Sequence, residues 1–155
     1  MHAIVGGMTE QGIGAQVAEA IAELLRRRTR EGIYAEITEG LDPAVDTATY
    51  PVLSGLARWG PRSAAALAAE IGLDRSVTSR HATRLKRAGL VWGAPDPGDA
   101  RATLLGLTDR GEQVVEVMRG RLAGRLDRHL AAWPDDQARA FAAALTRFVR
   151  EEPFG

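Results

Sequence analysis

The sequence predicts a mainly α-helical chain with one small β-hairpin, an α+β fold. Three observations predict it. Apolar residues recur at helical spacing over most of the 155 residues. Two short helical segments, "SAAALAAEIG" at 63–72 and "DRSVTSRHATRLKRAG" at 74–89, follow one another with only Leu73 between them. Directly behind them the helical period gives way to "LVWGAP", a "DPGD" turn cluster and the loosely alternating "RATLLGL". Two short helices joined by a glycine-containing turn make a helix-turn-helix, and a hairpin behind it makes a winged one.

Each element has its own signal. Ile13, Val17, Ala20, Ile21, Leu24 and Leu25 form one face of a helix, which "RRRTREG" continues to a stop at Gly32. A short segment, "IYAEITEG", follows and is broken by Pro43. "TYPVLSGLARWG" is expected to be a helix ending at Gly60, with Val52, Leu53 and Leu56 inward. In the tight pair, Ser63 is a candidate N-cap and Gly72 a stop. Val77 and Leu85 are expected to face the core from the second helix.

After the hairpin, Thr108 is a candidate N-cap for a long helix striped with Val114, Val115, Met118, Leu122, Leu126 and Leu130. Trp133 and Pro134 break it. The final helix starts at Asp135 and Asp136, which suit a positive helix N-terminus. It is expected to bury Ala138, Phe141, Ala142, Leu145, Phe148 and Val149. These stripes exceed what a small central module can cover, so the terminal helices are expected to bury against each other and against a second copy. The expected organisation is a flexible leader (1–12), N-terminal dimerisation helices (13–45), the winged helix-turn-helix (46–107) and C-terminal dimerisation helices (108–155).

Composition narrows the function. Apolar runs are short and interrupted by charge, so no membrane span is expected. The opening "MHAIVGGMTEQ" lacks a basic n-region and a long apolar core, so it is not read as a signal peptide. The absence of cysteine excludes disulfides and thiolate chemistry, and the cytoplasm is the default location. His2, His81 and His129 lie far apart, so no metal site and no cofactor are expected.

Net charge is zero, but it is unevenly distributed. Residues 1–57 hold four cations against eight acids, whereas residues 58–111 hold nine cations against five acids. Arg75, Arg80, Arg84, Lys86 and Arg87 fall within thirteen residues that contain no acid. Charge runs are commonly solvated faces. A local run without acids, in the second helix of a helix-turn-helix, points instead to nucleic acid. Major-groove reading uses the leading turns of such a helix, here Arg75, Ser76, Thr78, Ser79 and Arg80. Arg84, one turn on, is expected near the DNA backbone.

The stretch "LDRSVTSRHATRLKRAGLV", followed by "DPGDARATLLGLTDRG", resembles the signature of the MarR (multiple antibiotic resistance regulator) family over about residues 46–115. The most specific matches are Asp99-x-Arg101, Leu107-Thr108 and Gly111. The resemblance implies a DNA-binding transcriptional regulator, a homodimer on a pseudo-palindromic duplex site, that represses until a small aromatic or phenolic effector releases it. It also implies that Arg101, at the wing tip, enters a minor groove while Asp99 holds its guanidinium. The implied effector pocket is the cleft between the dimer helices and the winged domain, which Tyr34, Tyr50 and Trp59 are candidates to line, with core packing as their alternative role.

Two departures stand out. Relatives often carry basic residues on the first wing strand and before the tip arginine, where this chain has Gly93, Ala94 and Ala100. His81 stands where relatives often have an apolar residue; it is expected to be a partly buried, pH-responsive group rather than a DNA contact.

Two other readings compete. The 6–14 glycine stretch resembles the nucleotide loop of short-chain dehydrogenases. Its glycine spacing is loose, however, and neither a second strand with a terminal acid nor a Tyr-x-x-x-Lys pair follows. An enzyme is therefore not expected. A winged-helix module that binds proteins, without ligand response, would not need the cations of residues 75–87.

Overall fold

The computed structural model describes residues 12–153. The leader expected over 1–12 lies outside these residues except for Gly12, as does most of the 6–14 glycine stretch. The elements run α1 (Ile13–Leu25), α2 (Arg27–Thr38), α3 (Tyr50–Trp59), β1 (Arg62–Ser63), α4 (Ala64–Ile71), α5 (Arg75–Arg87), β2 (Val91–Asp96), β3 (Asp99–Leu107), α6 (Asp109–Leu130) and α7 (Asp135–Arg150). The mainly helical α+β class and the winged helix-turn-helix are as expected from the sequence.

Two features differ from the sequence reading. The first helix breaks at Arg26, whose ψ of 136° is extended, and Gly32 sits inside α2 instead of ending it. A glycine inside a helix costs about 1 kcal/mol relative to alanine. Here tertiary anchors outweigh it. Ile37 is buried, Arg125 of α6 pairs with Glu36, and Arg121 of α6 donates to the Ile37 and Glu39 carbonyls at 3.1 and 2.6 Å. The turn comes at Gly40, in the left-handed region with φ 65°. Second, the hairpin gains a third strand, giving the antiparallel order β1-β3-β2, with Arg62 opposite Leu105 and Ser63 opposite Leu104. The apolar face of α7, expected to bury against a second copy, is open in the single chain, with Phe141, Leu145 and Val149 44%, 47% and 55% exposed. On α1, Leu24 and Leu25 are likewise exposed, and neither helix holds a buried residue.

The core lies in the middle of the chain. Leu53 of α3, Leu67 of α4 and Leu85 of α5 have no accessible surface and pack into one cluster with Ile37, Leu90 and Met118. Burying each such side chain stabilises the fold by about 1.5–3 kcal/mol. On α6 the stripe is divided: Val115 and Met118 belong to this core, whereas Leu126 is 51% exposed.

Two sets of polar contacts fasten the flanks to α5. At its C-terminal end, the Thr108 hydroxyl donates to the Gly89 carbonyl at 2.7 Å and accepts from the Gly111 N–H at 3.1 Å. The Thr108 N–H donates to the Leu90 carbonyl at 3.1 Å. Gly111 is buried, and a β-carbon there would overlap that same Leu90 carbonyl oxygen. Arg110 then donates to the Ala88 carbonyl at 2.7 Å and to Asp42 at 2.6 Å. Further along, Arg84 reaches the α2–α3 loop, donating to Asp46 at 2.7 Å and to the Pro43 carbonyl at 2.6 Å. Burial pushes the Asp46 carboxyl up, but hydrogen bonds from Arg84 and from the Thr49 and Ala48 backbone outweigh it, so it titrates below its ordinary value.

Two outcomes follow. Gly111→Ala should lower stability by at least about 1–3 kcal/mol, because the obstacle is backbone and cannot rotate away; chemical denaturation measures it, and an unchanged midpoint would refute the close approach. A depressed folded pKa brings stability that is present above the ordinary carboxylate range and is lost as pH falls through it. Asp46→Asn should therefore shrink the drop in urea midpoint between about pH 7 and about pH 3, and an unchanged drop would remove Asp46 from the acid response.

Candidate nucleic-acid interface

The turn of the helix-turn-helix is built from local chemistry. The Ser63 hydroxyl caps α4 by accepting from the Ala66 N–H at 3.2 Å. Gly72 closes α4 with φ 66°, and the Leu73 N–H returns to the Ala68 carbonyl at 3.1 Å. Helix α5 therefore starts at a set angle to α4. Its C-terminal end is turned by Gly89, φ 71°, with the Leu90 N–H on the Leu85 carbonyl at 3.0 Å.

The inner face of α5 consists of Thr78, Ala82 and Leu85, at helical spacing. Thr78 is thus corrected from a groove-facing residue to a core one. It has no accessible surface, its hydroxyl has no partner, and Val77 is only half-buried. Arg75, Ser76 and Arg80 are exposed on the outer side and Ser79 is half-buried. Arg84 is also reassigned. Its guanidinium, expected near DNA, is bound to Asp46 and Pro43 behind the helix, though its side chain is 42% exposed.

The wing turns at Asp96–Asp99, where the Asp96 carboxylate accepts from the Gly98 N–H at 2.8 Å. The Asp99 carboxylate accepts from the backbone N–H of Arg101 at 2.9 Å. The expectation that Asp99 holds the Arg101 guanidinium is therefore corrected: the carboxylate shapes the strand leading out of the turn. Among the described residues the guanidiniums of Arg75, Arg80, Arg87 and Arg101 have no carboxylate partner.

Of these, Arg75 and Arg101 are brought together around a hollow of about 340 Å³ between α5 and the wing, whereas Arg80 and Arg87 lie outside its lining. Arg75, Ser79, Thr83 and Lys86 line the α5 side, Asp99, Arg101 and Thr103 the wing side, and Ser63 the start of α4. Lys86 and Thr83 were not assigned to a site from the sequence. The signal for Lys86 was Gly93, since a glycine within a strand marks a close approach. A β-carbon at Gly93 would stand 2.6 Å from the Lys86 ammonium nitrogen.

The aromatic candidates do not share one pocket. Tyr34 and Tyr50 pack with ring centroids 4.3 Å apart against the core. Tyr34 then opens on a hollow of about 400 Å³ with Arg30 and His81. Tyr50 and Trp59 line a separate hollow of about 360 Å³ with Ser54, Arg58 and Arg119. Two guanidiniums lie over the Trp59 ring, Arg58 at 5.6 Å and Arg62 at 5.5 Å from its centroid. Burial raises the Tyr50 hydroxyl above its ordinary value. His81 is half-buried on α5. Burial pushes its imidazole below the ordinary value, Asp46 opposes this, and Arg80 and Arg84 add to it. Among the described residues no helix is long and apolar enough to cross a membrane, and no group of three His, Cys, Asp or Glu is placed to hold a metal ion.

Comparison with known proteins gives the context of this geometry. Residues 40–102 match the family model described as the MarR family. The chain is 27% identical over 118 residues to the HTH-type transcriptional regulator YxaD of Bacillus subtilis, covering 76% of this chain and 82% of YxaD. It is 29% identical over 102 residues to the HTH-type transcriptional repressor NicR of Pseudomonas putida, covering 66% of this chain and 65% of NicR. Its fold matches the PcaV transcriptional regulator from Streptomyces coelicolor, solved in complex with its natural ligand, at 24% identity and a TM-score of 0.58 over 92% of this chain and 98% of PcaV. The matched segment, the joined helix-turn-helix and wing, and the aligned sequences agree in one respect: over residues 40–102 this chain is similar to the MarR family, and it aligns with HTH-type transcriptional regulators.

Proposed function

We propose that the chain is a non-enzymatic, cytoplasmic, DNA-binding transcriptional repressor that acts as a homodimer and is released by a small aromatic effector. One observation carries the DNA-binding part: Arg75 and Arg101 stand, without carboxylate partners, on opposite walls of one hollow between α5 and the wing. A helix and a hairpin tip presenting free guanidiniums side by side fit a duplex whose major groove takes α5 and whose minor groove takes Arg101. Arg75, Ser76, Ser79 and Arg80 are the residues assigned to the major groove. The exposed apolar faces of α1 and α7 suit a second copy, and dimer symmetry gives a pseudo-palindromic site with half-sites about one helical turn apart. On this reading residues 13–45 and 108–155 supply the dimer and 46–107 the DNA-binding module.

The effector reading draws on NicR and PcaV, a repressor and a ligand-bound regulator by their descriptions. The hollow of Tyr50, Trp59, Arg58 and Arg119 supplies aromatic faces and cations together, which suits an aromatic carboxylate. Such a ligand releases DNA only if it binds better to the arrangement whose recognition helices are misplaced.

Duplexes selected by the protein from random sequence should be palindromic. On the selected duplex, Arg80→Ala and Arg101→Ala should each weaken binding by about 1–3 kcal/mol with the dimer intact, whereas Thr78→Val should bind as the unaltered protein does. Equal affinity of the Arg101 variant would remove the wing from the interface. For the effector, benzoate or 4-hydroxybenzoate should lower DNA affinity of the unaltered protein and not of Arg58→Ala/Trp59→Ala; the same response in both would exclude this hollow.

A further inference from the structure

Lys86 is the single lysine of the chain, placed in the last turn of α5. A cation there complements the helix dipole wherever its side chain points. The structure gives it a more particular position. It lines the hollow between α5 and the wing, and its ammonium group lies against the backbone of β2 at Gly93. The Lys86 Nζ would be 2.6 Å, and its Cε 3.1 Å, from a β-carbon at that residue. The missing side chain of Gly93 is therefore the notch that receives the lysine. Among the described residues no carboxylate pairs with it.

The wing is short of charge on the strand where a cation would face DNA: Gly93 and Ala94 occupy β2, and Arg101 is the one basic residue of the two wing strands. We propose that Lys86, reaching through the Gly93 notch, supplies from the recognition helix the cation that the wing strand lacks, and contacts a phosphodiester of the strand running between the two grooves. The inference rests on the DNA-binding reading above. With α5 in one groove and Arg101 in the neighbouring one, the backbone between those grooves must cross this hollow. Its walls carry Arg75, Lys86 and Arg101 against the single acid Asp99. Laying the stem against the wing orders the ammonium before DNA arrives, which lowers the ordering cost of the contact. A lysine is a compact point charge that meets a phosphate from any direction, so the contact positions the wing without reading sequence.

The test is the salt dependence of binding, measured with the full chain on the selected duplex and on an unrelated one. Neutralising one phosphate contact changes the slope of log affinity against log salt by about 0.9. Lys86→Gln should reduce the slope by that amount on both duplexes, Lys86→Arg should retain it, and Lys86→Gln/Gly93→Lys should restore it from the strand side. An unchanged slope in Lys86→Gln, or no recovery in the double variant, would overturn the proposal. Should Lys86→Gln lose helical content, Lys86→Met, which keeps the stem, replaces it with the same expected slope. Failure of the unaltered chain to bind any duplex would instead overturn the DNA-binding reading.

Discussion

The Thr108 hydroxyl both donates to the Gly89 carbonyl and accepts from the Gly111 N–H, and the Thr108 N–H takes the Leu90 carbonyl. These contacts join the end of α5 to the start of α6 across the base of the wing. A bare glycine at 111 lets the two backbones approach until nothing larger than hydrogen fits. Because β2 and β3 lie between these two points in the chain, the same contacts close the wing into a loop of set length. The angle of α5, the root of the hairpin and the direction of the long helix are therefore not independent. Thr108 at the start of α6 is thus bonded directly to Gly89 and Leu90 at the end of α5.

The elements that were legible in the sequence are those whose signal is local. Ser63, Thr108, Gly72 and Gly89 mark helix ends because a cap or a left-handed turn needs those side chains, and all four occupy such positions. What was not legible depends on partners distant in sequence. The bridge of Arg62 and Ser63 to β3 spans two residues, too few to show alternation. Gly32 fails to stop α2 because arginines some 80–90 residues later secure the end of that helix. Thr78 looked like a groove residue because its hydroxyl suits base edges. Its neighbours on the same face, Ala82 and Leu85, determine instead that it faces inward.

The candidate site divides in the same way. Arg75, Arg80 and Arg101 were identifiable as cations of α5 and the wing, and among the described residues they are exposed and have no carboxylate partner. The role of Asp99 was half legible: its interaction with Arg101 is real but runs through the backbone N–H. Two neighbouring helix cations, Arg84 and Lys86, look equivalent in sequence. Two residues apart on a helix they point about 200° away from each other. One faces Asp46 and the other faces Gly93.

The tie between Arg84 and the loop bears on how a sequence-reading helix keeps its frame. A helix lying in a groove is a cylinder, and rolling it by one residue's 100° would bring a different set of side chains to the bases. Arg84 projects from the rear of that cylinder and is gripped at two points, the Asp46 carboxylate and the Pro43 carbonyl. Any roll must break both. On the proposed docking of α5 in a groove, the face it presents is thus anchored through Arg84 to the α2–α3 loop, and a change at Pro43 or Asp46 would shift that face without altering a residue on it.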